Sequence, residues 1–202
     1  MKKVDVILAA IVGFLNGIFF FFILKQIGSG IAFLKPFIPH FWILIIIFPF
    51  LGALGLYVAS LIGKKFLIIF QAAKFFLVGT LNTFIDLGVL NFFIWVSGIT
   101  KGIFYAIFKA ISFLVATTNS YFWNKFWTFE KKEVPRPKEF LKFLVVTAIG
   151  LLINVGVASF VVNIIGPQFG ISEKIWATIG AIVAAFFAFL WNFLASKLIV
   201  FK

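Results

Sequence analysis

Conventional chemistry has little to work with in this sequence. Its six acidic residues, Asp5, Asp86, Glu130, Glu133, Glu139 and Glu173, are scattered, its one histidine is His40, and it has no cysteine. No Asp-x-Asp pair is present to hold a metal and a nucleotide sugar, and one histidine in an outer loop after Pro36 and Pro39 builds no metal site. Without cysteine there is neither a thiolate nucleophile nor a disulfide framework. No catalytic residue, metal or cofactor is therefore predicted. The informative residues are polar ones set at helical spacing inside apolar runs. Gly79, Asn82 and Asp86 recur at i, i+3 and i+7, so one helix face carries all three. Asp86 is the twelfth residue of an apolar run that starts at Phe75. That depth is near a bilayer midplane, where a carboxylate costs about 2.5–3.5 kcal/mol and faces a bundle interior or an aqueous cavity. Two readings follow: a group that binds a polar ligand or carries a proton, or a paired or protonated aspartate that holds helices together.

A second stripe, Lys109, Ser112, Ala116 and Asn119, repeats at i, i+3, i+7 and i+10. Counting 1.5 Å per residue sets Lys109 roughly 8 Å nearer the outer surface than Asp86. An Asp86–Lys109 pair is stretched on this count, and snorkelling of Lys109 to the outer interface is the favoured account. Thr147, Gly150 and Asn154 mirror the Gly79 face, and Gly180, Ala184, Ala188 and Asn192 form a stripe whose small residues suit close helix packing.

Positioning these residues falls to apolar helices. The sequence is 63% hydrophobic and 12% charged, against about 45–50% and 25% in soluble domains, which makes it a membrane protein. Six windows reach the roughly 20 residues that cross hydrocarbon: Val6 to Leu24, about Phe41 to Ile62, Phe75 to Val96, Phe104 to Asn124, Phe143 to Ile165 and Ile175 to Ser196. The runs are continuous rather than alternating, so helices and not a barrel are predicted. The first run exceeds a signal core of about 7–15 residues and is read as an uncleaved helix.

A net charge of +12 would suggest nucleic acid in a soluble protein; here it follows topology. One side carries Lys2, Lys3, Lys64, Lys65, Lys74, Lys125, Lys131, Lys132, Arg136, Lys138, Lys142, Lys197 and Lys202. The other carries only Lys25, Lys35, Lys101, Lys109 and Lys174. Positive-inside bias then puts both termini in the cytoplasm of a multi-pass inner-membrane protein, with some cations available to anionic lipid. Lys131 to Lys142, the longest polar segment, contains Pro135 and Pro137 and reads as a short loop, so no soluble domain is expected.

An internal repeat organises the C-terminal two-thirds. Lys74–Gly88 (KFFLVGTLNTFIDLG) aligns with Lys142–Gly156 (KFLVVTAIGLLINVG), and after a four-residue insertion NKFWTF (124–129) meets SKLIVF (196–201). Each unit is a helical pair, so the copies share one orientation about an axis along the membrane normal. The expected architecture is all-α with about six transmembrane helices, the last four being two tandem same-orientation pairs (74–129 and 142–201). An N-terminal helical pair (1–70) would precede a four-helix membrane domain (71–202).

In KFFLVGTLNTFIDLGVLNFF, NSYFWNKFWTF and the degenerate second copy, the chain resembles the GtrA-like family of small polytopic membrane proteins. That resemblance implies movement of a polyprenyl-phosphate-linked monosaccharide across the membrane, for cell-surface polysaccharide or teichoic acid glycosylation, beside a membrane glycosyltransferase. On this reading Asn82, Asp86, Asn119 and Asn154, with Lys109, line a polar groove for the sugar. Lys74, Asn124, Lys125, Trp127 and Lys197, where helices reach the cytoplasmic face, would receive the phosphate; the plain alternative for each lysine is a positive-inside anchor. The rival function is a non-transporting subunit that anchors or stabilises the glycosyltransferase. A channel is disfavoured by the single intramembrane acid, although a homo-oligomer would supply polar rings.

Overall fold

The apolar windows fold as six long helices in a computed structural model that describes residues 1–28, 35–99, 101–168, 170 and 173–202. The side chains of Lys35 and Lys174, two of the cations read onto the outer side, lie outside the described residues. In chain order the helices are α1 (Lys3–Gly28), α2 (Ile43–Gly63), α3 (Leu67–Ser97), α4 (Gly102–Trp123), α5 (Pro137–Ser159) and α6 (Glu173–Ala195). A 3₁₀ turn, Lys35–His40, leads into α2, and His40 is exposed on it. Six helices are long and apolar enough to cross a membrane, so the chain is an all-α, multi-pass membrane protein. Side chains such as Phe50 and Trp95 point outward, 71% and 80% exposed, which only a lipid surround makes favourable.

Local sequence sets the helix ends. Pro137 opens α5, where its missing N–H is no loss. Gly98 closes α3 with φ 71°, donating its N–H to Ile94, because a left-handed C-terminal residue lacks steric cost only without a Cβ. The repeat is visible at the other ends. α4 runs on into a π-helical turn, Asn124–Thr128, and α6 into another, Ser196–Val200. In each, an N–H reaches back five residues, Phe129 to Asn124 at 2.9 Å and Phe201 to Ser196 at 2.8 Å. These are the two aligned segments NKFWTF and SKLIVF. The aligned aromatic pairs also recur: Phe75 meets Phe129 at 6.3 Å between centroids, and Phe143 meets Phe201 at 5.7 Å.

The chain divides into two compact units, Met1–Glu130 and Lys131–Lys202. In the first, α1 packs against α2 and α3, and α3 against α4, around Ala9, Val12, Leu56, Val78, Leu81 and Trp127. The α1–α2 contact rests on Gly13 and Gly17, a small-xxx-small pair that brings backbones together. A Cβ on Gly13 would sit 2.4 Å from the Phe48 carbonyl oxygen, and one on Gly17 2.7 Å from that of Leu44. Asn16, between them on the helix, donates to Thr80 Oγ1 of α3 at 2.8 Å. In the second unit, α5 and α6 form a hairpin in which Trp191 donates to the Val146 carbonyl at 3.0 Å and Gly150 makes room for Asn192.

Candidate functional site

Two polar clusters are built inside the first unit. The first lies between α3 and α4. Asp86 is eleven residues, about 16 Å, before the end of α3, and Lys109 seven residues, about 10 Å, after the start of antiparallel α4. The lysine's four-carbon stem covers that offset, and its ammonium pairs with Asp86 Oδ2 instead of snorkelling away. The fully buried Ser112 donates from Oγ to Asp86 Oδ1 at 2.6 Å, so both carboxylate oxygens are engaged. One turn further along, Asn119 Nδ2 donates to Asn82 Oδ1 at 2.7 Å while Asn82 Nδ2 donates to the Val78 carbonyl. Asn82 with Asn119, and Asp86 with Lys109 and Ser112, thus form two hydrogen-bonded sets one turn of α3 apart along the α3–α4 seam. A cleft of about 290 Å³ beside it is lined by Leu8, Asn119, Phe122, Trp123, Phe126 and Trp127.

The second cluster is at the end of the unit where the chain begins. Lys74, 1% exposed, places its ammonium 2.6 Å from Asp5 Oδ1 and 3.2 Å from Glu130 Oε1. It also donates to the Trp127 carbonyl at 3.3 Å and sits 4.5 Å from the centre of the Phe70 ring. Trp127 closes the ring of contacts, its indole N–H donating to Asp5 Oδ1 at 3.2 Å. Lys2 pairs with the other Glu130 oxygen. The Lys2 hydrogen bond holds the Glu130 carboxyl below its ordinary value, and Glu130 raises the Lys2 ammonium above its own. Asp5 was legible only as an acid flanking the first window; its pairing with a residue of α3 left no periodic signal.

Asn124 is buried, donating to Ser120 Oγ and accepting from Thr128 at 2.9 Å within the π-turn. Lys125 is buried 5.9 Å from the Tyr121 ring centre. Asn154 and Lys197 are half-buried and belong to the second unit, apart from both clusters' own residues in sequence. Lys142, the counterpart of Lys74, is exposed. Among the described residues no three His, Cys, Asp or Glu side chains gather to hold a metal ion.

Six spanning helices and a twice-used hairpin with polar residues along its seam define a polytopic membrane protein, and the family match supports a part in glycosylation-related, lipid-linked sugar handling. Residues 74–201, well over half the chain, match the family model of the GtrA/DPMS transmembrane domain, and the chain belongs to that family. Comparison with curated proteins and with solved structures gave no match. The family region opens at Lys74, whose charge is neutralised by Asp5 from a helix outside it.

Proposed function

We propose that this protein moves a polyprenyl-phosphate-linked monosaccharide across the cytoplasmic membrane, for cell-surface polysaccharide or teichoic acid glycosylation, and makes or breaks no bond in doing so. The observation that carries the reading is the Asn82–Asn119 and Asp86–Lys109–Ser112 track, two sets of hydrogen-bonding groups one helical turn apart on α3 within helices that otherwise present hydrocarbon. Sugar hydroxyls exchange with such groups at little net loss, whereas in lipid each would go unpaired at a cost of about 2–7 kcal/mol. Trp123 and Trp127 offer aromatic faces beside Asn119. Lys74 serves the phosphate at the cytoplasmic end, the buried Lys125, Asn124 and Trp127 shape that end, and Asn154 and Lys197 are the sequence counterparts of Asp86 and Lys125 in the second hairpin. The isoprenoid tail stays in lipid. Both termini are cytoplasmic on this reading, in keeping with the thirteen-to-five division of basic residues, and a membrane glycosyltransferase supplies or consumes the cargo.

The test is reconstitution of the purified chain in liposomes with a labelled polyprenyl-phosphate sugar. Label should become accessible on the far leaflet faster than in protein-free vesicles. No acceleration, together with reduced transferase level in membranes lacking this protein, would establish an anchoring subunit instead.

A further inference from the structure

We propose that the pocket at the chain-start end of the first unit is a binding site for an anionic phosphate head, and that the Glu130 carboxylate stands in it as a displaceable substitute. The pocket, about 540 Å³, is lined chiefly by Lys2, Asp5, Phe70, Gln71, Lys74 and Glu130. The inference rests on the proposed handling of a phosphate-linked sugar, and adds to it the site of first capture and a competitor built into the chain.

Glu130 spans two ammonium groups carried by separate elements, one oxygen on Lys2 and the other on Lys74. A phosphate presents two oxygens in the same way, with charge-assisted bonds of the same kind. The base and the top of the pocket differ sharply in burial. Asp5 and Lys74 are 4% and 1% exposed, whereas Glu130 and Lys2 are 47% and 69% exposed. Asp5 therefore fixes the Lys74 ammonium in place, while the Glu130 contacts are of the solvent-screened kind that contributes little.

The backbone marks the same residue. Glu130 has φ 52°, the one non-glycine left-handed residue among those described, a conformation that costs free energy and recurs at ligand clamps. It lies just past Phe129, the residue that caps the Asn124–Thr128 π-turn, and ends the first unit outside every helix. Charge agrees: Lys2 and Lys74 balance Asp5 and Glu130, and withdrawal of Glu130 leaves one positive charge for a singly charged phosphodiester. Gln71 Oε1 is buried and has no hydrogen-bond partner among the described residues, an acceptor in the pocket wall for a hydroxyl of the head group. Lys2, Asp5 and Gln71 all precede the family region at 74, so the site gives the N-terminal helices a part in cargo capture.

The experiment uses the full chain in phosphatidylcholine nanodiscs and measures dissociation constants for three probes: an undecaprenyl-phosphate-linked monosaccharide, phosphatidylglycerol and inorganic phosphate. Removing the competitor by Glu130→Gln should tighten binding of the lipid phosphates about twofold to fivefold, the scale of an exposed ion pair. Lys2→Gln, at an exposed residue, should weaken it by a similar factor. Preference for the undecaprenyl-phosphate-linked monosaccharide assigns the site to the isoprenoid cargo. Equal binding of phosphatidylglycerol assigns it to anionic phospholipid, and competition by inorganic phosphate shows that the phosphate suffices. Unchanged or weaker binding in Glu130→Gln, or no effect of Lys2→Gln, overturns the proposal. Tightened binding without transbilayer movement would retain the pocket and remove translocation; intact translocation with no binding here would do the reverse.

Discussion

Substituting the buried Asp5–Lys74 pair gives the sharpest stability prediction. The two side chains are 4% and 1% exposed and 2.6 Å apart. Lys74→Met removes the cation and leaves a carboxylate in a desolvated site, with only the Trp127 indole and the Lys2 backbone N–H as donors. Asp5→Asn keeps an acceptor for Trp127 but strands the ammonium, apart from the Trp127 carbonyl and the half-exposed Glu130. Breaking a buried pair from one side costs about 3–5 kcal/mol. The upper part of that range is expected for Lys74→Met and the lower part for Asp5→Asn, since Glu130 still faces Lys74. The double variant removes both charges and should return to within about 1–2 kcal/mol of wild type, giving a coupling energy of about 6 kcal/mol. Reversible unfolding of the purified chain in mixed micelles, followed by tryptophan fluorescence, reads all four corners of the cycle. Single variants each costing under about 1 kcal/mol, or a double variant whose loss is the sum of the singles, would refute the reasoning.

Other outcomes follow from the same contacts. Gly13→Ala should destabilise the α1–α2 packing by about 1–3 kcal/mol, because its methyl would meet the Phe48 backbone and not a movable side chain. Gly55→Ala, with nothing within 4 Å of its Cβ position, should be neutral or stabilising by the helix-propensity difference of about 1 kcal/mol. Thermal melting in detergent separates the two. Because the Glu130 carboxyl is held below its ordinary value, its contribution is present at neutral pH and is lost as pH falls through that lowered value. The melting-temperature gap between wild type and Glu130→Gln should therefore be present at pH 7 and close in acid; a gap that widens in acid would contradict the assignment.

Much of the architecture was legible because hydrocarbon thickness imposes a length on every span. Each of the six windows overlaps one of the six helices for that reason, although α3 and α5 begin eight and six residues before theirs, and the aligned NKFWTF and SKLIVF segments reappear as matching π-turns. Contacts between helices were less legible. The depth count for Lys109 treated the charge as if it sat at its backbone position, and its flexible stem brings the ammonium down to Asp86. Lys74 was read as a surface cation because its neighbours in sequence carry no acid; its counter-ion is 69 positions away in α1. Gly13 and Gly17 sit in an apolar run where spacing alone does not say which helix they face. The π-turns have no local residue code, since they arise where an N–H reaches one residue further back. Asp86 and Asn82 were found because polar residues are expensive in lipid and therefore conspicuous.

The central claim is tested most directly by the rate at which a labelled polyprenyl-phosphate sugar reaches the far leaflet of liposomes holding wild-type protein or Asp86→Ala. Wild type should accelerate the movement over protein-free vesicles, and Asp86→Ala, expressed and inserted at the same level, should lose most of that acceleration because Lys109 and Ser112 then lack their shared partner. Full activity in Asp86→Ala would contradict a polar track centred on this carboxylate.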